Sequence, residues 1–364
     1  MSSNVGTGRS DDPLPTEIGS RAMPELPDTE SVVSTPARLR LRFRSGRIAL
    51  LITAGLVVVT LAVGWNYFVY ARPVGSGPAG ATVDRGEFKS VWSTRQVVLL
   101  GLGDSVTQGL GASPGKSYFQ RLVTNPADEF DDLRDINLQR VLPNLEPRNI
   151  SISGMTSIEC VDYQLPKLEP YPEDIFGAVV ITVGGNDVVH NYGRTPPREG
   201  AMYGATLDQL GDWPLNFDER LEAIATRVRE TFPGGCHIFI ADIYDPTDGD
   251  SDTQYAGLPA WPDGSAVLNR WNDVLRAFAV RHEDITLIEM RKAFLGHGIH
   301  CVQFWHHAYR ADDPTYWYWD NLEDPNDRGY DAIRRLFLNA IARDLPRRLN
   351  EEARSKTSEE PVTP

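Results

Sequence analysis

Three short polar segments of the chain hold residue types that could together carry out acyl-transfer chemistry. They are Gly103-Asp104-Ser105, Ser153-Gly154-Met155 and Gly184-Gly185-Asn186-Asp187. Each follows an apolar run, and the ends of neighbouring parallel strands meet at one edge of a sheet. A serine hydroxyl at position 105 would then face a backbone N–H of residue 154 and the side-chain amide of residue 186. Such an arrangement supplies a nucleophile and donors for a carbonyl oxygen that becomes negative.

Each segment alone is also typical of a turn with a helix cap. The occurrence of three in succession favours a site over three unrelated turns. Glycine at position 154 would let the backbone come close to a reacting group. The turn after the first strand is expected to expose the Ser105 hydroxyl. The three segments therefore predict a catalytic serine at the strand edge.

The three segments resemble the motifs of the SGNH hydrolases, the GDSL-type esterases and lipases. The first motif reads Gly103-Asp104-Ser105-Val106-Thr107-Gln108-Gly109, with valine where the family often has leucine. The resemblance covers about residues 95–345. It implies a flavodoxin-like, three-layer α/β/α fold and Ser105 as the nucleophile. It also implies the N–H groups of Ser105 and Gly154 and the Asn186 amide as oxyanion-hole donors, with no cofactor and no metal.

The fourth motif of the family, Asp-x-x-His before a proline and the last helix, is altered here. Counting back from Pro325 places Asp324 at the histidine position and Asn321 at the aspartate position. The general base that a serine hydroxyl needs is therefore not where the family places it.

Four of the seven histidines lie just upstream, at positions 297, 300, 306 and 307. We expect His300 to be the base, with His297 as the next choice, because a histidine pKa lies near neutral pH. Asp324 or Glu323 would orient it. Three alternatives remain: a metal bound by His297 and His300 with a carboxylate, ordinary polar loop residues, or a site without a histidine.

Apolar runs alternate with helix-like segments from about residue 89 to 346. This alternation predicts a mainly parallel five-stranded sheet covered on both faces. The predicted strands are 97–103, 149–153, 178–183, 237–243 and 285–290. The predicted helices are 117–125, 155–168, 217–231, 267–282 and 329–345, with Asn216 as the cap of the third.

An apolar segment without charged side chains, residues 48–70, precedes this domain. Its 23 residues are long enough to cross a hydrocarbon core of ~30 Å. Five arginines lie between residues 38 and 47, which predicts a cytoplasmic N-terminus and an extracytoplasmic domain. A cleavable signal peptide is the alternative, but its apolar region is usually shorter.

The remaining segments are predicted from composition. Residues 1–47 are expected to be disordered, residues 71–88 to form a linker and residues 347–364 to form a disordered tail. The net charge of −14 disfavours nucleic acid as a partner.

The sequence thus predicts a membrane-anchored serine hydrolase acting on an acylated small molecule, glycan or lipid. An O-acyltransferase with the same site and a catalytically inactive envelope-binding module are the alternatives.

Overall fold

The computed structural model describes residues 40–359, with side chains from residue 46 to residue 350. The predicted three-layer α/β/α fold is confirmed. Its sheet contains β1 (Val97–Gly103), β2 (Leu145–Asn149), β3 (Phe176–Thr182), β4 (Cys236–Ala241) and β5 (Ile285–Ile288). All neighbouring strands are parallel, in the order β2-β1-β3-β4-β5. This is the flavodoxin-like order, in which ligands bind between β1 and β3, where the winding direction reverses.

Helices cover both faces of the sheet, and β1 and β3 are therefore buried along their whole length. Val97 and Leu99 belong to one core, which contains residues of the helices at 118–123 and 327–359. Val98 and Leu100 belong to the other, which contains residues of the helices at 213–231 and 264–281. The helices in chain order are α1 (Arg40–Tyr70), α2 (Ser105–Gln108), α3 (Tyr118–Val123), α4 (Leu138–Val141), α5 (Ser157–Glu159), α6 (Gly185–Val189), α7 (Trp213–Thr231), α8 (Gly264–Arg281), α9 (Met290–Phe294) and α10 (Asp327–Glu359).

Two predicted elements differ from the structure near the second motif. The strand predicted at 149–153 is β2 at 145–149, an edge strand whose polar residues Glu146 and Asn149 are exposed. The chain after it still pairs with β1, since the Ile152 N–H donates to the Gly103 carbonyl at 3.0 Å. The single helix predicted at 155–168 is instead α5 followed by a π-helical turn and a 3₁₀ turn.

Two helix boundaries also need correction. Helix α7 begins at Trp213, so Asn216 is not its cap, and the Asn216 amide binds Glu199 at 2.9 Å. Helix α10 continues to Glu359, through most of the segment predicted as a disordered tail. Residues 360–364, and the first 39 residues of the segment predicted to be disordered, lie outside the described residues.

Helix α1 contains a segment, Gly46–Tyr70, that is long and apolar enough to cross a membrane. Its mean hydropathy is 2.4, and none of the apolar window is buried against the rest of the described chain. Contacts divide the chain into two units, residues 1–59 and residues 60–364.

The predicted linker, 71–88, is bound to the second unit rather than free. The Pro73 carbonyl accepts from the Tyr316 N–H at 2.8 Å, and the Ala79 N–H donates to Asp331 at 3.0 Å. Phe88 is buried in the core.

Candidate active site

Ser105 is the first residue of α2, directly after the carboxyl end of β1. Asp104 caps this helix by accepting the Val106 N–H at 3.1 Å. Gly103 has φ +104°, and a Cβ there would lie 1.8 Å from the Thr182 carbonyl oxygen, so only glycine fits between the strands. The sharp turn directs Ser105 into a pocket. Ser105 as a whole is only 8% exposed, so it faces this pocket rather than open solvent.

Hydrogen bonds draw the three sequence motifs together. Asp104 accepts the Thr182 hydroxyl at 2.6 Å, which joins the first motif to the end of β3. Gln108 accepts the Ser153 N–H at 2.8 Å, which joins the first motif to the second. The Asn186 amide donates to the Met155 carbonyl at 3.0 Å, which joins the third motif to the second. The predicted convergence at the strand edge is therefore present.

The structure places the predicted oxyanion donors in different settings. Asn186 lines the same pocket as Ser105, and its amide has a second hydrogen beyond the one given to Met155. Gly154 is exposed, with φ +80° and open space where a Cβ would project. Its glycine is therefore explained by backbone conformation rather than by a close protein neighbour. The Ser105 N–H, at the start of a helix, has no intrahelical acceptor.

The buried carboxylate of Asp187 fixes the two donor-bearing turns to each other. It accepts the Ser157 N–H at 2.7 Å and the Ser157 hydroxyl at 2.5 Å. Because Asp187 follows Asn186 directly, this contact fixes Asn186 relative to the turn around Gly154.

Asp324, at the sequence position where the family motif has histidine, is buried. Burial raises the pKa of Asp324, and the nearby Ser105 hydroxyl and the hydrogen bond from Asn321 partly oppose that rise. The Asn321 amide donates to Asp324 Oδ2 at 2.6 Å, and the Asn321 oxygen accepts the Asp324 N–H at 3.1 Å. Asp324 Oδ1 is buried and receives no well-formed hydrogen bond from the described part of the chain. One oxygen of the Asp324 carboxyl is therefore open to a further hydrogen bond.

Two further carboxyl groups near Ser105 have raised pKa values. Burial raises the pKa of Asp104 to about 7, against hydrogen bonds from Thr182 and Val106. Burial and the charge of Asp324 raise the pKa of Glu323 to about 7. Glu323 lines the pocket with Ser105, and the sequence predicted for it only an orienting contact to a histidine. Buried groups with perturbed pKa values cluster at functional sites.

The prediction of His300 as the general base needs correction. Its Nε2 lies 3.0 Å from an Asp252 oxygen and its Nδ1 lies 2.9 Å from Gln303, so neither ring nitrogen is free for Ser105. These contacts raise the His300 pKa despite burial. Its backbone N–H is bound to the buried Asp248 at 3.1 Å, which fixes the loop in this position.

The other three histidines of the loop also have partners elsewhere. His297 stacks on Trp317, with ring centroids 3.5 Å apart, and its pKa falls to about 4 because of burial. His306 pairs with Asp250 at 2.9 Å, and His307 lies 3.6 Å from the same carboxylate. Among the described residues, no histidine lines the pocket that contains Ser105.

The histidines whose positions would suit a metal ion are His300 and His306, not the predicted pair His297 and His300. Ligand atoms of Asp250, His300 and His306 lie within 4.8 Å of one another. His306 Nδ1, however, accepts the Ala308 N–H at 3.2 Å, which leaves the proton on Nε2, the nitrogen that faces Asp250. Metal binding at that nitrogen requires the other tautomer, so this trio is better explained as a hydrogen-bonded cluster.

The pocket beside Ser105 has a cavity volume of about 120 Å³ and a mostly apolar lining. Its apolar lining residues include Val188, Tyr203, Ile243, Leu258, Trp261 and Leu268. Such a lining suits the hydrocarbon part of a ligand.

Comparison with known protein families identifies the family of the chain. The model of the GDSL-like Lipase/Acylhydrolase family matches residues 102–332. The chain belongs to this family of serine ester hydrolases. No curated protein matches the chain.

Solved structures of the same fold are similar to the chain at low identity. A lipolytic G-D-S-L family protein from Veillonella parvula DSM 2008 is 15% identical, with a TM-score of 0.41, over 68% of this chain and 99% of that one. Phospholipase A1 from Streptomyces albidoflavus NA297 is 16% identical, with a TM-score of 0.39, over 68% and 99%. Axe2, an acetylxylan esterase from Geobacillus stearothermophilus, is 18% identical, with a TM-score of 0.40, over 68% and 96%.

Proposed function

We propose that this protein hydrolyses acyl esters through an acyl-enzyme on Ser105, with Asp324 itself as the general base. The observation that carries the proposal is the buried Asp324 carboxyl, whose Oδ1 has no hydrogen-bond partner among the described residues. Asp324 directly follows Glu323, which lines the same pocket as Ser105, and no described histidine lines that pocket. A carboxylate normally has too low a pKa to take a serine proton well, but burial raises that of Asp324 and so increases its basicity.

The altered fourth motif supports this role because its two changes compensate each other. In Asp-x-x-His, the histidine donates a hydrogen bond to the aspartate. Here Asn321 donates to Asp324, so the direction of the hydrogen bond is reversed. An asparagine suits a carboxylate base, whereas an aspartate at 321 would repel it.

The reaction follows from these positions. Ser105 Oγ forms a bond to the ester carbonyl carbon while its proton moves to the Asp324 carboxylate. Asn186 and the N–H groups of Ser105 and Gly154 would hold the negative carbonyl oxygen. Collapse breaks the bond to the alcohol, which leaves with the proton from Asp324. Water then attacks the acyl-enzyme, gives a proton to Asp324, and Ser105 regains its own as the acid departs.

The apolar wall of the pocket favours an ester with a hydrocarbon acyl group, and an acylated glycan or lipid meets that requirement. A series of p-nitrophenyl esters, from acetyl to dodecanoyl, tests this with the full chain in detergent. We expect kcat/KM to rise from acetyl to a medium-length acyl chain, and Ser105→Ala to abolish turnover. Equal rates for wild type and the Ser105→Ala variant would contradict the proposal. Product analysis with an added sugar acceptor distinguishes transfer from hydrolysis.

We further propose that Ile48–Tyr70 anchors the protein in a membrane, with its N-terminus cytoplasmic and its catalytic domain extracytoplasmic. Helix length and hydropathy support a span, and the arginines before residue 48 support this orientation. Protease added to intact cells should degrade the domain, whereas a tag at the N-terminus should stay protected. Protection of the domain would contradict the orientation.

A further inference from the structure

Two large aromatic side chains lie exposed beside the end of α1. Phe304 is 65% exposed and Trp305 is 58% exposed. Their rings contact each other, with centroids 4.9 Å apart, and both contact Phe68, with centroids 5.7 and 4.9 Å away. We call these three residues the aromatic patch. Large exposed aromatic side chains in a cluster mark a surface that another phase or molecule covers.

The patch is continuous with the apolar helix and is held there by the polypeptide. Gln303, next to Phe304, donates through its side chain to the Phe68 carbonyl at 2.9 Å. Just beyond the helix, Arg72 donates to the Tyr255 carbonyl at 3.2 Å, and the Pro73 carbonyl binds Tyr316. These contacts all lie within residues 60–364, so the patch and the helix end belong to one unit.

The chemistry around the patch matches the boundary between hydrocarbon and water. Residues 296–309 contain no aspartate, glutamate, lysine or arginine. The helix end carries Trp65 and Tyr67, which are 63% and 50% exposed. Tryptophan and tyrosine concentrate at this boundary because they combine an apolar ring with a polar group.

We infer that the aromatic patch sits in the interface of the membrane that holds α1, so that the domain rests on the bilayer rather than hanging from a flexible tether. This inference rests on the proposed membrane anchoring. The loop that carries Phe304 and Trp305 also contacts a segment of the pocket wall, since the His300 ring binds Asp252, which lies between the pocket-lining residues Ser251 and Thr253. The bilayer surface would thus lie beside one wall of the acyl pocket.

Nitroxide labels on the full chain in phospholipid nanodiscs test the inference. Single cysteines are placed by Phe304→Cys, Leu61→Cys and Val280→Cys in a Cys236→Ser background, where Cys160 and Cys301 are buried. Val280 is the matched control, because it is an apolar residue that is 82% exposed, near the end of α8. Collision rates with oxygen, which enters lipid, and with a water-soluble nickel chelate are compared by electron paramagnetic resonance.

We expect the labels at 61 and 304 to favour oxygen and the label at 280 to favour the nickel chelate, with nickel collisions several-fold lower at 304 than at 280. A lipid-facing label at 61 with a water-facing label at 304 would overturn the inference and leave the anchoring intact. Water-facing labels at both 61 and 304 would overturn the anchoring, and this inference with it.

Discussion

Replacing Asp324 by asparagine isolates the role of the carboxylate, because the two side chains have nearly the same shape. The amide oxygen of the introduced asparagine can still accept the hydrogen bond that Asn321 donates at 2.6 Å, while its NH₂ group cannot take a proton from Ser105. Loss of the catalytic base in a serine hydrolase typically lowers the rate by about 10⁶-fold. That factor corresponds to a barrier about 8 kcal/mol higher.

The assay compares kcat/KM for a p-nitrophenyl ester between Asp324→Asn and Glu323→Gln. Glu323→Gln removes a neighbouring carboxyl that lines the same pocket and so controls for charge and fold. We expect the Asp324→Asn variant to lose nearly all activity and the Glu323→Gln variant to lose far less. Equal activities in the two variants would refute the assignment of Asp324 as the base.

The same assignment fixes the sign of the pH dependence. Asp324 must be ionised to accept a proton, so kcat/KM rises as pH rises through its pKa, which burial places above the ordinary value of 3.8. The double variant Asn321→Asp, Asp324→His supplies the family's usual residues. In this variant the rise in kcat/KM should move toward pH values of about 6.5, the ordinary pKa of a histidine side chain. An unchanged profile in an active double variant would show that position 324 does not take the proton.

Three further changes test other parts of the site. Asn186→Ala should lower kcat by about 10²–10³-fold with little change in KM, because an oxyanion donor acts mainly in the transition state. An unchanged kcat would show that Asn186 is not an oxyanion donor. His300→Gln should leave kcat/KM and its pH profile unchanged, because both ring nitrogens are bound to Asp252 and Gln303. Loss of activity in a folded variant would show that His300 takes part in catalysis. Asp104→Asn should stabilise the protein at pH 8 but not at pH 4. Folding raises the Asp104 pKa from 3.8 to about 7, so the folded state binds more protons and stability falls as pH rises through this window, by roughly 4 kcal/mol at most. Urea unfolding at both pH values measures this difference, and equal shifts at the two pH values would contradict it.

The parts of the structure that the sequence predicts well are those set by local pattern. The uniform apolar runs of β1 and β3 identify buried parallel strands, and the glycine-rich turns after them identify the edge where Ser105 and Asn186 lie. The second strand was misplaced because β2 is an edge strand with exposed polar residues and a proline at 147, so it lacks an apolar run.

The general base illustrates what local pattern does not reveal. His300 was favoured by residue type and chain position, but its pairing with Asp252 joins loops that are 48 positions apart. A signal for the alternative was present in the sequence. Asn321 stands where the family has aspartate, and Asp324 stands where it has histidine. The two replacements keep a hydrogen bond between these positions but reverse its direction, because Asn321 donates to Asp324.

The most direct test of the account is covalent trapping at Ser105. The full chain is treated with a fluorophosphonate, digested and examined by mass spectrometry, alongside the Ser105→Ala and Asp324→Asn variants. We predict one adduct on the peptide that contains Ser105 in the wild type, none in Ser105→Ala, and greatly slowed labelling in Asp324→Asn. A folded wild-type protein that forms no adduct at Ser105 would contradict the claim that this residue is an activated nucleophile.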